Sequence, residues 1–444
     1  MKKTLLVVAL LVVAAVAAVA LARWLRPPQP EWTTDSPEAL AELQAGQQAV
    51  QKLYLAEAAD HFWRALEHDP DFAIAKLRAV QLGGSQPERR ERVAALIEEL
   101  KAADLDGLTP RERMLIGIFL ARIDHDDETS RRLLDEYLAE HPDDPYAVEM
   151  ACGRANAAGD LDRAESCFRR LIEIDPNHAG AQNLLGYLAM ARGDFAAAEE
   201  QFEVYRYVAP DQANPHDSLG ELYLLTGRYD EAESEFEQAV AIKGDFCASH
   251  ENLVLVELLR GDFAAADRRA AEARRANGCE PTVLDQLDCR VATWRAVHAG
   301  RWGEALAAAE PCPDAPDLQV ISVWAAGQVG RPEAAAAVIE RLETYGGADD
   351  PMLRPVLAHL RAAELYTRGD AAAAAERFRA VDGEVQYRSG AWTFKVFNQM
   401  ALAAALEAAG RADEAAAVRA EVAEVNPRLL ADGAFRIPEA PASR

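Results

Sequence analysis

The chain has 444 residues, more than a single compact core usually needs, so several domains or a repeat array are expected. Half of its residues are apolar and 27% are charged, with few aromatics and abundant alanine, a composition that suits packed helices. The net charge of -26 repels phosphate backbones and anionic headgroups, which argues against nucleic acid as a partner.

At the N-terminus, Lys2 and Lys3 precede an uncharged run from Thr4 to Ala22, followed by Arg23, Arg26, Pro27 and Pro28. A helix over residues 4–22 would be about 28 Å long, close to the hydrocarbon thickness of a bilayer. Residues 1–26 therefore read as a transmembrane anchor or signal segment. Ala20-Leu21-Ala22 has the small-x-small form of a cleavage site, which keeps a soluble product cleaved near Ala22 as an alternative. The run is longer than a typical signal core, which favours the uncleaved anchor. Flanking cations nearly balance and lean toward an internal N-terminus. Residues 27–38, rich in proline and polar groups, read as a linker.

Helical pairs follow in order. Unit 39–72 has Gly46, Ala58, Phe62 and Pro70, and 73–110 is a looser pair. Unit 111–144 has Leu134 and Pro142 around the acidic turn Asp124-His125-Asp126-Asp127-Glu128. Then Gly159, Gly193, Gly227 and Gly261 recur every 34 residues, and Leu161, Phe195, Tyr229 and Phe263 keep that spacing. So do Ala164, Ala198, Ala232 and Ala266, with Phe168, Phe202 and Phe236 four residues beyond. After residue 280 the period slips, through Gly300, Gly330 and Gly369, and recovers in 396–429 with Gly410, Ala415 and Pro427. A break in curvature is expected near Pro311-Cys312-Pro313, and 430–444 reads as a flexible tail.

This period and pattern resemble the tetratricopeptide repeat, most closely over 213–246, with Leu219-Gly220-Glu221-Leu222-Tyr223, Gly227, Tyr229, Ala232 and Phe236. His216 stands where the family usually has tryptophan. The resemblance implies an all-α fold, a right-handed α-solenoid of antiparallel helix pairs, in an N-terminal array 39–280 and a divergent C-terminal array 281–429. Glycine ends each first helix, alanine lets the paired helices approach, and aromatic residues fill the seams. One unit cannot bury its own apolar stripe, so the units must stack.

Six cysteines, Cys152, Cys167, Cys247, Cys279, Cys289 and Cys312, permit three bridges in an oxidising space, while buried free thiols remain the alternative. Cys152 and Cys167 lie on the packed faces of one helix pair and are the leading candidate bridge. No C-x-x-C, H-E-x-x-H, G-x-S-x-G or phosphate-cradling loop occurs, so no catalytic residue, metal or cofactor is expected. The acidic turns lack the ligand spacing of a calcium loop.

In the family, the inner face of the superhelix is lined by fixed positions of each first helix. The resemblance places Tyr146, Glu149 and Asn156 there, then Asn183, Tyr187 and Met190, then Asn214, Asp217, Glu221 and Leu224, then Glu251 and Leu255. Acids stand where a carboxylate-gripping subclass needs cations, so a basic or apolar protein segment is the expected partner. The leading function is a membrane-tethered scaffold for an envelope complex, single-pass in the inner membrane with its bulk in a bacterial periplasm. A cytoplasm-facing adaptor is one alternative. A saccharide- or lipid-handling protein is another, motivated by Tyr387, Trp392, Phe394 and Phe397.

Overall fold

A computed structural model describes residues 31–83, 89–276, 278–346, 353–431 and 437–438. The apolar run 4–22 and most of the tail lie outside these residues. Among the described residues the chain is all α, without strands, and no helix is long and apolar enough to cross a membrane. It forms two compact units, one ending at Val148 and one beginning at Glu149.

The first unit holds α1 (Pro37–Gln51), α2 (Leu55–His68), α3 (Ala73–Gly83), α4 (Arg90–Ala102), a 3-10 turn (Leu105–Gly107), α5 (Pro110–Ile123) and α6 (Asp127–Glu140). It also takes the start of α7 (Pro145–Ala157), within which the division falls. The expected linker is docked from Glu31 onward. Trp32 is buried, packed edge-to-face on Tyr146 at 5.5 Å, with the Arg111 guanidinium 5.3 Å from its ring. Buried Glu112 accepts from the backbone N–H and hydroxyl of Thr33 (2.9 and 2.6 Å) and from those of Thr109 (3.0 and 2.9 Å). Four donors offset the cost of burying that carboxylate, and they hold the segment to the start of α5.

The second unit continues with α8 (Leu161–Ile174), α9 (Ala179–Ala191), α10 (Phe195–Val208), α11 (Ala213–Leu225), α12 (Tyr229–Ile242), α13 (Cys247–Arg260) and α14 (Phe263–Ala276). Then come α15 (Pro281–His298), α16 (Trp302–Ala309), α17 (Pro316–Gln328), α18 (Pro332–Gly346) and α19 (Leu353–Thr367). The last are α20 (Ala371–Glu384), α21 (Trp392–Ala408), α22 (Ala412–Val425) and α23 (Arg428–Ala431). Helix α16 is only eight residues long and stops just before Pro311 and Pro313.

The repeat period works through a two-residue junction. Gly159, Gly193 and Gly261 enter the left-handed backbone region, with φ of 74°, 78° and 74°, which ends the first helix of each pair. The next residue is an aspartate whose side chain accepts from the backbone N–H three residues on, at 3.1 Å for Asp160, 3.1 Å for Asp194 and 2.9 Å for Asp262. One residue stops a helix and its neighbour starts the next. In the acidic turn His125 takes the left-handed conformation instead (φ 56°), and Asp126 is the cap.

Paired helices meet at a glycine. A Cβ at Gly46, Gly186 or Gly220 would lie 2.5, 2.4 or 2.7 Å from a ring carbon of Phe62, Phe202 or Phe236. Across neighbouring pairs, arginines just after or near the end of first helices reach back to the preceding second helix. Arg192 meets Asp162 and Glu165 (2.6 and 2.5 Å), and Arg260 meets Asp230 and Glu233 (both 2.6 Å). Such partly exposed pairs contribute about 0.2–1 kcal/mol each and mainly fix orientation.

The core of the second unit joins distant parts of the chain. Met190, Phe202, Phe236, Leu253 and Trp294 share one cluster with Trp392, Val396, Val422 and Leu429. A second cluster surrounds Trp324, Tyr366 and Phe378. The aromatic group that suggested saccharide or lipid handling is spent on packing. Trp392 is buried in the first cluster, Phe394 and Phe397 pack on the second, and the Tyr387 ring lies 5.6 Å from Phe195. Part of the expected tail is also held, for Tyr366 donates from its hydroxyl to the Pro438 carbonyl at 3.1 Å.

Candidate peptide-binding groove

Helices α9, α11 and α13 are first helices of successive pairs, so equivalent positions line one face. Asn183, Asp217 and Glu251, each 34 residues apart, form one row along it. Asn183 accepts from the Ser218 hydroxyl at 2.9 Å. Tyr187 donates from its hydroxyl to Glu221 at 2.8 Å. Asp217 accepts from the Ser249 hydroxyl at 2.7 Å and from the Asn252 amide at 3.2 Å. At the far end, Arg290 of α15 pairs with Asp317 of α17 at 2.8 Å and lies 3.9 Å from Glu251.

The middle of this face is occupied by the chain itself. Residues 385–391, between α20 and α21, cross α11 as a strap. Glu221 accepts from the Gly390 backbone N–H on one oxygen and the Ser389 hydroxyl on the other, both at 2.8 Å. Further along, Asn426 donates to the Leu224 carbonyl and sits against the Tyr229 hydroxyl, both at 3.4 Å. The Arg428 guanidinium lies 4.2 Å from the Tyr229 ring centre.

Enclosure changes the acids. Burial pushes the Asp217 carboxyl up to about 7, against the hydrogen bonds from Ser249 and Asn252, and nearby Glu221 pushes the same way. Burial also raises Glu221, opposed by the donors from Gly390, Ser389 and Tyr187. The Tyr187 hydroxyl is held well above its usual value by burial and by these two neighbours.

The remaining expected groove positions divide. Met190 and Leu224 are buried in the core, and Leu255 packs against it. Buried Asn214 donates to the Tyr205 hydroxyl at 3.0 Å. Asn156 is half-buried and Glu149 exposed, with Glu149 3.8 Å from His178. Tyr146 lies in the first unit, between Trp32 and Arg111. Residue-by-residue reading missed Ser218, Asn252, Ser389 and Gly390. The first two are also 34 residues apart, one position beyond Asp217 and Glu251, and that column was there to be found. Ser389 and Gly390 belong to no repeat and carry no such signal.

All six cysteines are paired. The α-carbons of Cys152 and Cys167 are 5.2 Å apart, those of Cys247 and Cys279 5.0 Å, and those of Cys289 and Cys312 6.4 Å, all within the span a bridge requires. Among the described residues no group of three or more His, Cys, Asp or Glu side chains is placed to hold a metal ion.

Tetratricopeptide-repeat family models match residues 155–219 and 215–246, so the chain carries tetratricopeptide repeats over a stretch that includes α9 and α11 of this groove. No curated protein matches the chain. Solved structures similar to it include PilW, titled a widely conserved type IV pilus biogenesis factor, at 16% identity and a TM-score of 0.36, covering 44% of this chain and 88% of that one. PilF of Pseudomonas aeruginosa is similar at 18% identity and a TM-score of 0.34, covering 46% of this chain and 92% of that one. A tetratricopeptide repeat protein from Parabacteroides merdae covers 64% of this chain and 97% of its own, at 14% identity and a TM-score of 0.35.

Proposed function

We propose that this protein is a membrane-tethered scaffold that mediates protein–protein interaction in the assembly or maturation of a bacterial envelope complex. It holds a protein segment along the inner face of α9, α11 and α13. The observation that carries this reading is the strap itself: a buried carboxylate of that face already grips a non-helical turn of polypeptide by a backbone N–H and a hydroxyl. Tetratricopeptide repeats supply the rigid frame for such recognition. Three cysteine pairs at bridging distance support an oxidising compartment, and the apolar run 4–22 supports a tether beside it.

The test is affinity capture from native membranes, with Tyr187→Ala and Glu251→Lys compared with the parent and with Tyr207→Ala on α10. Tyr207 is 86% exposed and lies outside the groove. Loss of captured partners in the two groove variants, with circular dichroism unchanged, is the expected result. The reading fails if both capture like the parent while Tyr207→Ala does not. Protease added to cells with permeabilised outer membranes should digest the repeats. Survival of the repeats until the inner membrane is lysed would place them in the cytoplasm.

A further inference from the structure

We propose that the cleft between α5 and α6 in the first unit is a second docking surface, and that it receives a cationic amphipathic helix of another protein. The cleft has a volume of about 650 Å³. Its α5 wall is Arg113, Met114, Gly117, Leu120 and Ala121, a spacing of three and four that marks one helical face. Opposite lie Thr129, Leu133, Glu136, Tyr137 and Glu140 of α6. The trough therefore runs along two antiparallel helices, the geometry into which a further helix packs. Helix α6 leaves this side uncovered, since Leu134 is its one buried residue. At the centre Gly117 keeps the floor low, for a Cβ there would lie 3.0 Å from the Leu133 methyl.

Charge selects the occupant. Five carboxylates, Asp106, Asp124, Asp126, Glu136 and Glu140, line the cleft against one arginine. One arginine cannot offset five acids, and Arg113 pairs with none of them among the described residues, donating instead to the Leu108 carbonyl at 2.6 Å. Asp126 is engaged as the α6 cap, and Glu136 pairs with Arg132 at 3.1 Å. Asp106, Asp124 and Glu140 form no ion pair among the described residues and are exposed. An apolar floor with an unneutralised acidic rim fits leucine-like side chains flanked by lysine or arginine. An anionic helix, a nucleic acid or an anionic membrane surface would be repelled. No residue of the strapped groove takes part, so this surface stands or falls independently of the proposed function.

The test uses the full-length protein in detergent and a labelled synthetic helix with leucines on one face and lysines on the other. Fluorescence anisotropy should show saturable binding that weakens with salt. The exposed rim reversal Asp124→Lys/Glu140→Lys should weaken it on the order of tenfold. The floor variant Leu133→Ala should weaken it several-fold at unchanged circular dichroism. A matched reversal elsewhere, Glu304→Lys/Asp413→Lys, should leave affinity within about twofold. Equal losses in the matched reversal, equal binding of a lysine-only peptide, or equal binding of the glutamate counterpart would each overturn the proposal.

Discussion

At the residue scale, an acid taken out of water holds its proton to higher pH. Asp217 sits in a periodic column that reads as solvent-facing, yet it is 6% exposed and its carboxyl is pushed up to about 7. An acid whose folded value exceeds its unfolded one binds more protons when folded. Its contribution to stability is complete at low pH and is lost as pH rises between about 4 and 7. Asp217→Asn keeps an acceptor for Ser249 and removes the charge. It should flatten the fall in stability across that window and raise stability at pH 8 by a few kcal/mol at most, read by urea unfolding at a series of pH values. His359 has the opposite slope. Burial lowers its imidazole to about 4, although the bond to Asn398 opposes this. Its Nε2 accepts from the Trp324 indole at 3.1 Å, so Nδ1 carries the proton and donates to Asn398 at 2.9 Å. That stability is present above the unfolded histidine value and is lost as pH falls from about 6.5 toward 4. Nitrogen NMR shifts at pH 5.5 should show His359 neutral with the proton on Nδ1, and a charged ring there would refute the assignment.

At the scale of helices, most of the design is legible because the period assigns jobs. Glycine at 159, 193 and 261 predicts a left-handed stop, and the structure places one at each. Reading the following aspartate as a cap needs only its position between the stop and the next apolar residue. The glycine inside the first helix is a different device, since Gly220 exists to admit the Phe236 ring. Gly220→Ala would set a Cβ 2.7 Å from that ring, where Gly220 is buried and Phe236 has no exposed surface to retreat to. Repacking should cost about 1–3 kcal/mol despite the better helix propensity of alanine, measured as a lower denaturant midpoint at unchanged slope. The Cys152–Cys167 bridge ties α7 to α8 across a sequence separation of 15. A bridge closing a loop of that size contributes about 3 kcal/mol by restricting the unfolded chain. The double change to alanine should show that loss, and the native protein should expose no alkylatable thiol before reduction. Free thiols in protein purified from its own membranes would remove the bridge and the compartment it supports.

At the scale of the whole second unit, the sequence is silent because closure is not periodic. Ser389 meets Glu221 across 168 residues and Asn426 meets Leu224 across 202, contacts that no repeat pattern announces. The slip of the period after residue 280 marks only that this region answers to something other than stacking. What it answers to is the core of α9 to α14, which Trp392, Val396 and Leu429 join. The strap differs from the flanking helices in how it is held. Trp392 is anchored by burial, whereas Ser389 and Gly390 hold by hydrogen bonds to one carboxylate. Gly390→Pro breaks that grip. The native φ of 68° is closed to proline, and the substitution removes the N–H that Glu221 accepts. Hydrogen exchange should speed up by about tenfold or more over residues 385–389 while α19 and α20 keep their protection, as losing one or two such bonds predicts. Faster exchange should also appear in α11 around Glu221, whose buried carboxylate would be left short of donors. If protection collapses through α21 and α22 as well, the strap is no separable lid but part of one cooperative closure, and a partner could not displace it without unfolding the end of the array.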